Sequence, residues 1–272
     1  MKQPTLYIPH GGGPCFFLNP DGSCPPMWQP MRNYLAGIIA SLPERPRAIL
    51  IVSAHWIEPQ FSVHVGEKPG LLFDYYGFPQ HTYALRWDAP AAPDLSRRAA
   101  TLLNAAGFET GEESARGWDH GIFVPMKVAL PEADIPVAQL SLQAPRPGED
   151  FDADLHIRAG HALAPLRDEG VLIIGSGMSF HNMYLRDGSV QQIADAFDAA
   201  LTAAVCDPDP ARRNAALAHW ADLPHARLAH PPRGEEHLIP LMIAAGAAGN
   251  DRGVQTFRDQ VIGWTISGYR FG

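Results

Sequence analysis

No segment of this chain stays apolar long enough to cross a bilayer, and none has the basic start, apolar middle and small-residue cleavage site of a secretory leader. A strand-like apolar segment begins directly after Met1-Lys2-Gln3-Pro4, so the cytoplasm is the simplest expected location and no membrane partner is expected. Cysteine is scarce: Cys15, Cys24 and Cys206 are odd in number and form no C-x-x-C pair, which gives no basis for a disulfide framework or a zinc ribbon. Positive charge is short as well. With 21 Lys+Arg against 29 Asp+Glu the net charge is −8, which argues against nucleic acid as a partner, because a phosphate backbone demands a basic face. Internal repeats and low-complexity tracts are missing, and the prolines and glycines are scattered as loop punctuation. The G-x-S-x-G elbow of an esterase is absent, as is G-x-G-x-x-G, and no Lys-Ser or Lys-Thr follows Gly11 to Gly13. The glycine triplet is therefore read as room for a ligand to approach the backbone.

What is present suits one hydrophobic core at the upper end of its size range: 272 residues, 46% hydrophobic and 18% charged. A single catalytic domain over residues 1–272 is expected. Thr5 to Pro9, Ala48 to Ser53, Ile135 to Leu142 and Val171 to Gly175 are short runs rich in Ile, Val or Leu and read as buried strands. Trp28 to Leu42, Pro90 to Ala106 and Asp152 to Asp168 carry apolar residues at helical spacing. Gln191 to Ala248 turns Ala-rich and helical, and Val254 to Phe271 reads as one or two closing strands. The alternation predicts an α/β fold, a central mainly parallel or mixed sheet flanked by helices.

Three histidine segments share one grammar, an apolar strand running into a small-residue turn: Ile8-Pro9-His10-Gly11, Val52-Ser53-Ala54-His55, and Gly175-Ser176-Gly177 leading to His181. Ligands of open α/β sheets bind at the carboxyl ends of strands, so these imidazoles are expected to converge there on a metal. His237 precedes Pro240, a residue tolerated in a first helical turn, and so is placed at a helix start. His120 follows Asp119, a carboxylate able to set its tautomer, which points to proton transfer. His64, His81, His156, His161, His219, His225 and His230 lack this context and are read as structural or surface residues. Cys15 is a weaker candidate ligand beside His10, and Trp56, Trp118, Phe78 and Tyr76 are candidate aromatic walls, Trp118 foremost.

Six ordered motifs then stand together: Pro9-His10-Gly11-Gly12-Gly13-Pro14, Ser53-Ala54-His55-Trp56, Gly77-Phe78-Pro79, Gly117-Trp118-Asp119-His120-Gly121, Ser179-Phe180-His181-Asn182 and Glu236-His237-Leu238-Ile239-Pro240-Leu241. Over nearly its whole length the chain resembles the class III extradiol ring-cleaving dioxygenases, in the DOPA 4,5-dioxygenase-like branch. The resemblance implies a non-haem Fe(II) site that opens a catechol ring with O2 to a muconic semialdehyde-type product, with Zn(II) as an ion able to occupy the same site. It implies that His10, His55 and His237 are ligands, with Glu235 or Glu236 as carboxylate substitutes for the third. His181 is implied as the acid/base and as a fourth ligand to zinc, and His120 as a second imidazole that holds the substrate by hydrogen bonding. The partners implied are a small catechol and O2, with a homo-oligomer left open. The competing readings are a zinc-dependent hydrolase built on the same histidines and a non-enzymatic Memo-like metal-binding protein.

Overall fold

The computed structural model describes residues 1–185 and 188–272. In chain order its strands are β1 (Thr5–Pro9), β2 (Ala48–Glu58), β3 (Phe61–His64), β4 (Thr110–Glu113), β5 (Val137–Gln143), β6 (Val171–Gly177), β7 (Gly253–Val261) and β8 (Trp264–Phe271). Its helices are α1 (Gln29–Gly37), α2 (Pro93–Ala105), α3 (His120–Ala129), α4 (Ala153–Leu163), α5 (Pro165–Asp168), α6 (Val190–Val205), α7 (Pro210–Ala218), α8 (Ala226–Ala229) and α9 (Ile239–Ala248). The strands form one mixed sheet in the order β4-β3-β5-β2-β6-β1-β8-β7. Its centre, β5-β2-β6-β1, is parallel and buried on both faces, which is why those four strands read as continuous apolar runs. No helix among the described residues is long and apolar enough to cross a membrane.

The strands that pattern reading does not find, β3 and β4, lie together on one side of the sheet, with β4 at its edge. Thr110-Gly111-Glu112-Glu113 of β4 has no apolar residue; it pairs in parallel with β3 and is tied to α2 by Asn104 to Thr110 (2.9 Å) and Arg97 to Glu112 (3.8 Å). The expected helix over Trp28 to Leu42 is instead a 3-10 turn at Pro26–Trp28, then α1, then a second 3-10 turn at Ile39–Ser41. Asp152 to Asp168 divides at Ala164, because Pro165 has no N–H to continue α4 and starts α5 instead.

Two features of the central strands position everything that follows. β2 runs past Ser53 to Glu58 through an irregularity: Val52 pairs with Leu140 and Ile57 with Leu142, so residues 53–56 bulge out of the ladder and carry His55 with them. On β6 alternate residues face opposite sides. A Cβ on Gly175 or Gly177 would meet the backbone of Pro240 or His237 at the start of α9, whereas the Ser176 hydroxyl reaches Gly121 in α3. α3 and α9 therefore cover opposite faces of the sheet, and both begin at the carboxyl end of β6.

α9 is Ile-Pro-Leu-Met-Ile-Ala-Ala-Gly-Ala-Ala, buried throughout and without one polar side chain to cap it. Its last carbonyls are satisfied from outside by two buried arginines. Arg167 Nη1 donates to Ala247 O (3.0 Å) and Ala248 O (2.8 Å), while Arg213 Nη2 donates to Ala245 O (3.1 Å) and Gly249 O (2.7 Å). Cations at this end also complement the helix dipole. Arg167 further donates to Gln3 O at 2.7 Å and pairs with Asp251 at 2.5 Å, tying the chain's first residues to the helix. Arg167→Ala strands these buried carbonyls, and we expect it to lower the unfolding free energy by about 3 kcal/mol. Urea titration checks this; a loss below about 1 kcal/mol would mean that water takes over the arginine's bonds.

Candidate metal centre

His10 stands one residue beyond β1, with its backbone N–H on Gly177 O (3.1 Å), and His55 stands on the bulged end of β2. His237 directly precedes Leu238, the N-cap of α9, and Pro240 occupies the first turn, as the sequence suggested. His120 opens α3, and His181 follows β6. The five imidazoles meet at one end of the parallel strands. Ring centroids are 4.9 Å apart for His10 and His55, 5.2 Å for His10 and His237, and 4.9 Å for His55 and His237. These three offer one ligand atom each within 4.8 Å of one another.

The tautomers of His10 and His237 follow from hydrogen bonding. Pro125, inside α3, has no N–H for Gly121 O, and the Ser176 hydroxyl donates to that carbonyl in its place. Having spent its proton, Ser176 Oγ can only accept from His10 Nδ1 (3.2 Å), so His10 carries its proton on Nδ1 and leaves Nε2 bare. Glu236 Oε1 lies 2.9 Å from His237 Nδ1 and, as a carboxylate, makes that nitrogen the donor. His10 Nε2 and His55 Nε2 are 3.2 Å apart. Nitrogens bound to one ion at about 2.1 Å are separated by about 3.0–3.4 Å at ordinary coordination angles, so the pair has the spacing that a shared metal requires.

Burial holds His10 and His237 well below the ordinary imidazole value, and it brings His55 to about 3 and His181 to about 4, with repulsion from neighbouring imidazoles adding to each. Neutral rings with free lone pairs are ligands or proton acceptors. His181 stacks on His237, centroids 3.5 Å apart at 21°, and groups with Glu236 and His237 on the outer side of the trio. It borders a cleft of about 340 Å³, lined also by Asn182, Tyr184, Arg233 and Glu236, within the size range of small-molecule sites.

Several expectations are corrected. The carboxylate beside His120 is Asp74, not Asp119. Asp74 Oδ1 lies 2.8 Å from His120 Nδ1, whereas Asp119 turns inward to Ser53 Oγ (2.6 Å), Gln139 Nε2 (2.7 Å) and Arg116 (3.2 Å). Burial pushes the Asp74 carboxyl up, but its hydrogen bond and charge interaction with His120 outweigh this and hold it below the usual range. Glu235 is fully buried and paired with Arg227 at 2.5 Å, whereas Glu236 lies 2.9 Å from His237 Nδ1 and groups with His181 and His237. Cys15 is a buried thiol packed against Gly11, its pKa raised by burial, and it stands outside the groups of ligand atoms that the histidines form. Trp118 is wholly buried against His64, Trp56 is buried with its indole N–H on Glu58, and Phe78 packs on Tyr75. Tyr76 is 91% exposed. The aromatic rings beside the histidines are Trp264 at His181 (6.2 Å) and Tyr75 at His120 (5.9 Å). Trp264 starts β8, far from any motif; Asp74 and Tyr75 lie just before Gly77-Phe78-Pro79, where an acid among aromatics was the available signal. Of the histidines read as structural, His156 and His230 are buried and hydrogen-bonded, to Gln143 N and Asp152 O and to Ser179 O respectively.

Gly177 is required by close approach, since a Cβ there would run into His237 O, which also accepts from Tyr7 Oη (2.7 Å) and Met178 N (3.0 Å). Gly177→Ala should therefore displace His237 from the trio and weaken Zn(II) binding to the metal-free protein by ~10-fold or more, read by calorimetry. Unchanged affinity would mean that the start of α9 shifts without moving the imidazole.

Residues 4–269 match the family described as the catalytic LigB subunit of aromatic ring-opening dioxygenase. The chain is 37% identical to a dioxygenase, tasH, of Hapsidospora irregularis over 99% of its own length and 85% of that protein. It is 39% identical to a 4,5-DOPA dioxygenase extradiol of Beta vulgaris, covering 84% of each chain. It is 32% identical to a protein of that same name from Escherichia coli K12, covering 90% of this chain and 85% of the other. Its fold is similar to the crystal structure of an uncharacterized protein from Escherichia coli K12, with a TM-score of 0.72, 25% identity and complete coverage of both chains.

Proposed function

From the premise that this chain belongs to the family of the catalytic LigB subunit, and is an aromatic ring-opening dioxygenase, we propose that it cleaves catechols in extradiol fashion at an Fe(II) held by His10, His55 and His237. The observation that carries the metal assignment is the convergence of His10, His55 and His237, with His10 Nε2 and His55 Nε2 3.2 Å apart and one ligand atom from each of the three rings within 4.8 Å of the others. When bound, the iron supplies the redox chemistry that lets O2 react with an aromatic ring and lowers the pKa of the catechol hydroxyls. The products on this reading are muconic semialdehydes carrying both oxygen atoms. Relatives named for 4,5-DOPA put DOPA-like catechols first among substrates.

The chain's own residues bind and move protons. His181, at the mouth of the cleft, presents a neutral imidazole whose lone pair accepts a phenolic proton and later returns it to the opening ring. His120 has its Nδ1–H committed to Asp74 and offers Nε2 to a second substrate hydroxyl. Trp264 and Tyr75 supply apolar edges beside these two imidazoles. Burial of His10 and His237 keeps bulk water from the inner side of the site.

His10→Ala or His55→Ala should abolish iron binding, whereas His181→Ala should keep the metal and lose turnover by ~10²-fold or more. Metal content by mass spectrometry beside turnover tests the division, and equal metal loss in all three variants would defeat it. Oxygen uptake by anaerobically Fe(II)-reconstituted protein against a panel of catechols should be rapid with at least one of them and yield a yellow ring-opened product. Bound iron with no uptake for any catechol would instead favour a zinc hydrolase or a Memo-like metal-binding protein on the same histidines.

A further inference from the structure

We propose that Asp74 is a positioning residue: it fixes the tautomer of His120 and thereby decides that a bare Nε2, not an N–H, faces the substrate. The inference rests on the reading of His120 as a substrate-facing imidazole. The two segments are registered by backbone pairing, Leu71 bridging Trp118, with Trp118 N on Gly70 O (2.8 Å) and Leu72 N on Trp118 O (2.7 Å). Gly117 permits this approach, since a Cβ there would lie 2.8 Å from Gly70 O. Three residues beyond Leu71 and two beyond Trp118, Asp74 meets His120. Its Oδ1 accepts the His120 backbone N–H (2.9 Å) and Nδ1–H (2.8 Å), although 46 residues separate the two in sequence.

A carboxylate can only accept here, so in the neutral ring the proton sits on Nδ1 and Nε2 is bare. A free neutral imidazole prefers the opposite tautomer, with the proton on Nε2, which would turn the substrate-facing acceptor into a donor. The second oxygen, Oδ2, lies 3.8 Å from His55 Nδ1, and the His55 and His120 rings are 3.9 Å apart. One carboxylate thus faces both an imidazole assigned to the metal and an imidazole assigned to the substrate. The competing role is structural: Asp119, the N-cap of α3, makes no side-chain cap bond, and Asp74 caps that helix from outside.

Long-range ¹H–¹⁵N correlation spectra of the metal-free protein separate the two roles, with the His120 signals assigned by their loss in His120→Ala. Wild type and Asp74→Asn, which keeps the accepting oxygen, should show His120 protonated on Nδ1, whereas Asp74→Ala should show the proton on Nε2. After Fe(II) loading, Asp74→Ala should lose kcat by ~100-fold with KM within ~3-fold, and Asp74→Asn should recover to within ~10-fold of wild type. Asp74→Ser, polar enough to cap α3 but too short to reach the ring, should give the same tautomer as Ala and serves if Ala does not fold. An Nδ1–H signal that survives in Ala or Ser, with only the melting temperature lowered, makes Asp74 a helix cap and overturns the proposal. Full turnover by His120→Ala would defeat the reading of His120 alone, because the tautomer signals still decide whether Asp74 sets that ring.

Discussion

Two imidazole nitrogens rest 3.2 Å apart only when a proton or a cation lies between them, and the rest of the site is organised around bringing His10 Nε2 and His55 Nε2 to that separation. The contact is local, but what holds it is spread across the molecule. His10 is held by the parallel ladder of β1 and β6, and His55 by a bulge that the β2 ladder tolerates because β5 resumes pairing beyond it. Neither ring is free to turn away. Ser176 occupies the other nitrogen of His10, and the Asp74 carboxylate lies on the far side of His55.

The same logic recurs in the outer parts of the site, where an acceptor on Nδ1 exposes Nε2. For His10 it is a hydroxyl whose proton has gone to Gly121, a carbonyl left without a helical donor by Pro125. For His237 and His120 it is a carboxylate, Glu236 and Asp74. A proline in the middle of a buried helix, costly for the helix itself, thus bears on which nitrogen of His10 is available, through two hydrogen bonds across the sheet. A histidine cluster of this kind depends on its partners as much as on its ligands.

Packing sets the remaining coordinates. α9 carries no polar side chain and is placed by its neighbours: β6 glycines admit its first turn, a Gly160 and Gly246 contact lets α4 cross it closely, and two buried arginines close its carboxyl end. Its start therefore has little freedom, which is what a ligand such as His237 requires. Burial also keeps these imidazoles neutral, since a charge in the interior has no water to stabilise it.

The sequence by itself determined the parallel core, because strands buried on both faces must be apolar throughout, and it determined which histidines stand at strand ends, because small-residue turns follow those runs. His10, His55, His120, His181 and His237 were all legible in this way or through their ordered motifs. Only the tertiary structure decided the partners. Asp119 is adjacent to His120 in sequence yet faces inward to Ser53 and Gln139, while Asp74 arrives from a segment 46 residues away. Trp118 has the composition of a pocket wall and is wholly buried, while Trp264 comes to His181 from the closing hairpin. Edge strand β4 carries no apolar signal because its pairing with β3, and not burial, holds it. A residue type and its periodicity report how a segment is buried; which side chain meets which across the sheet depends on register and crossing, and those exist only once the chain has folded.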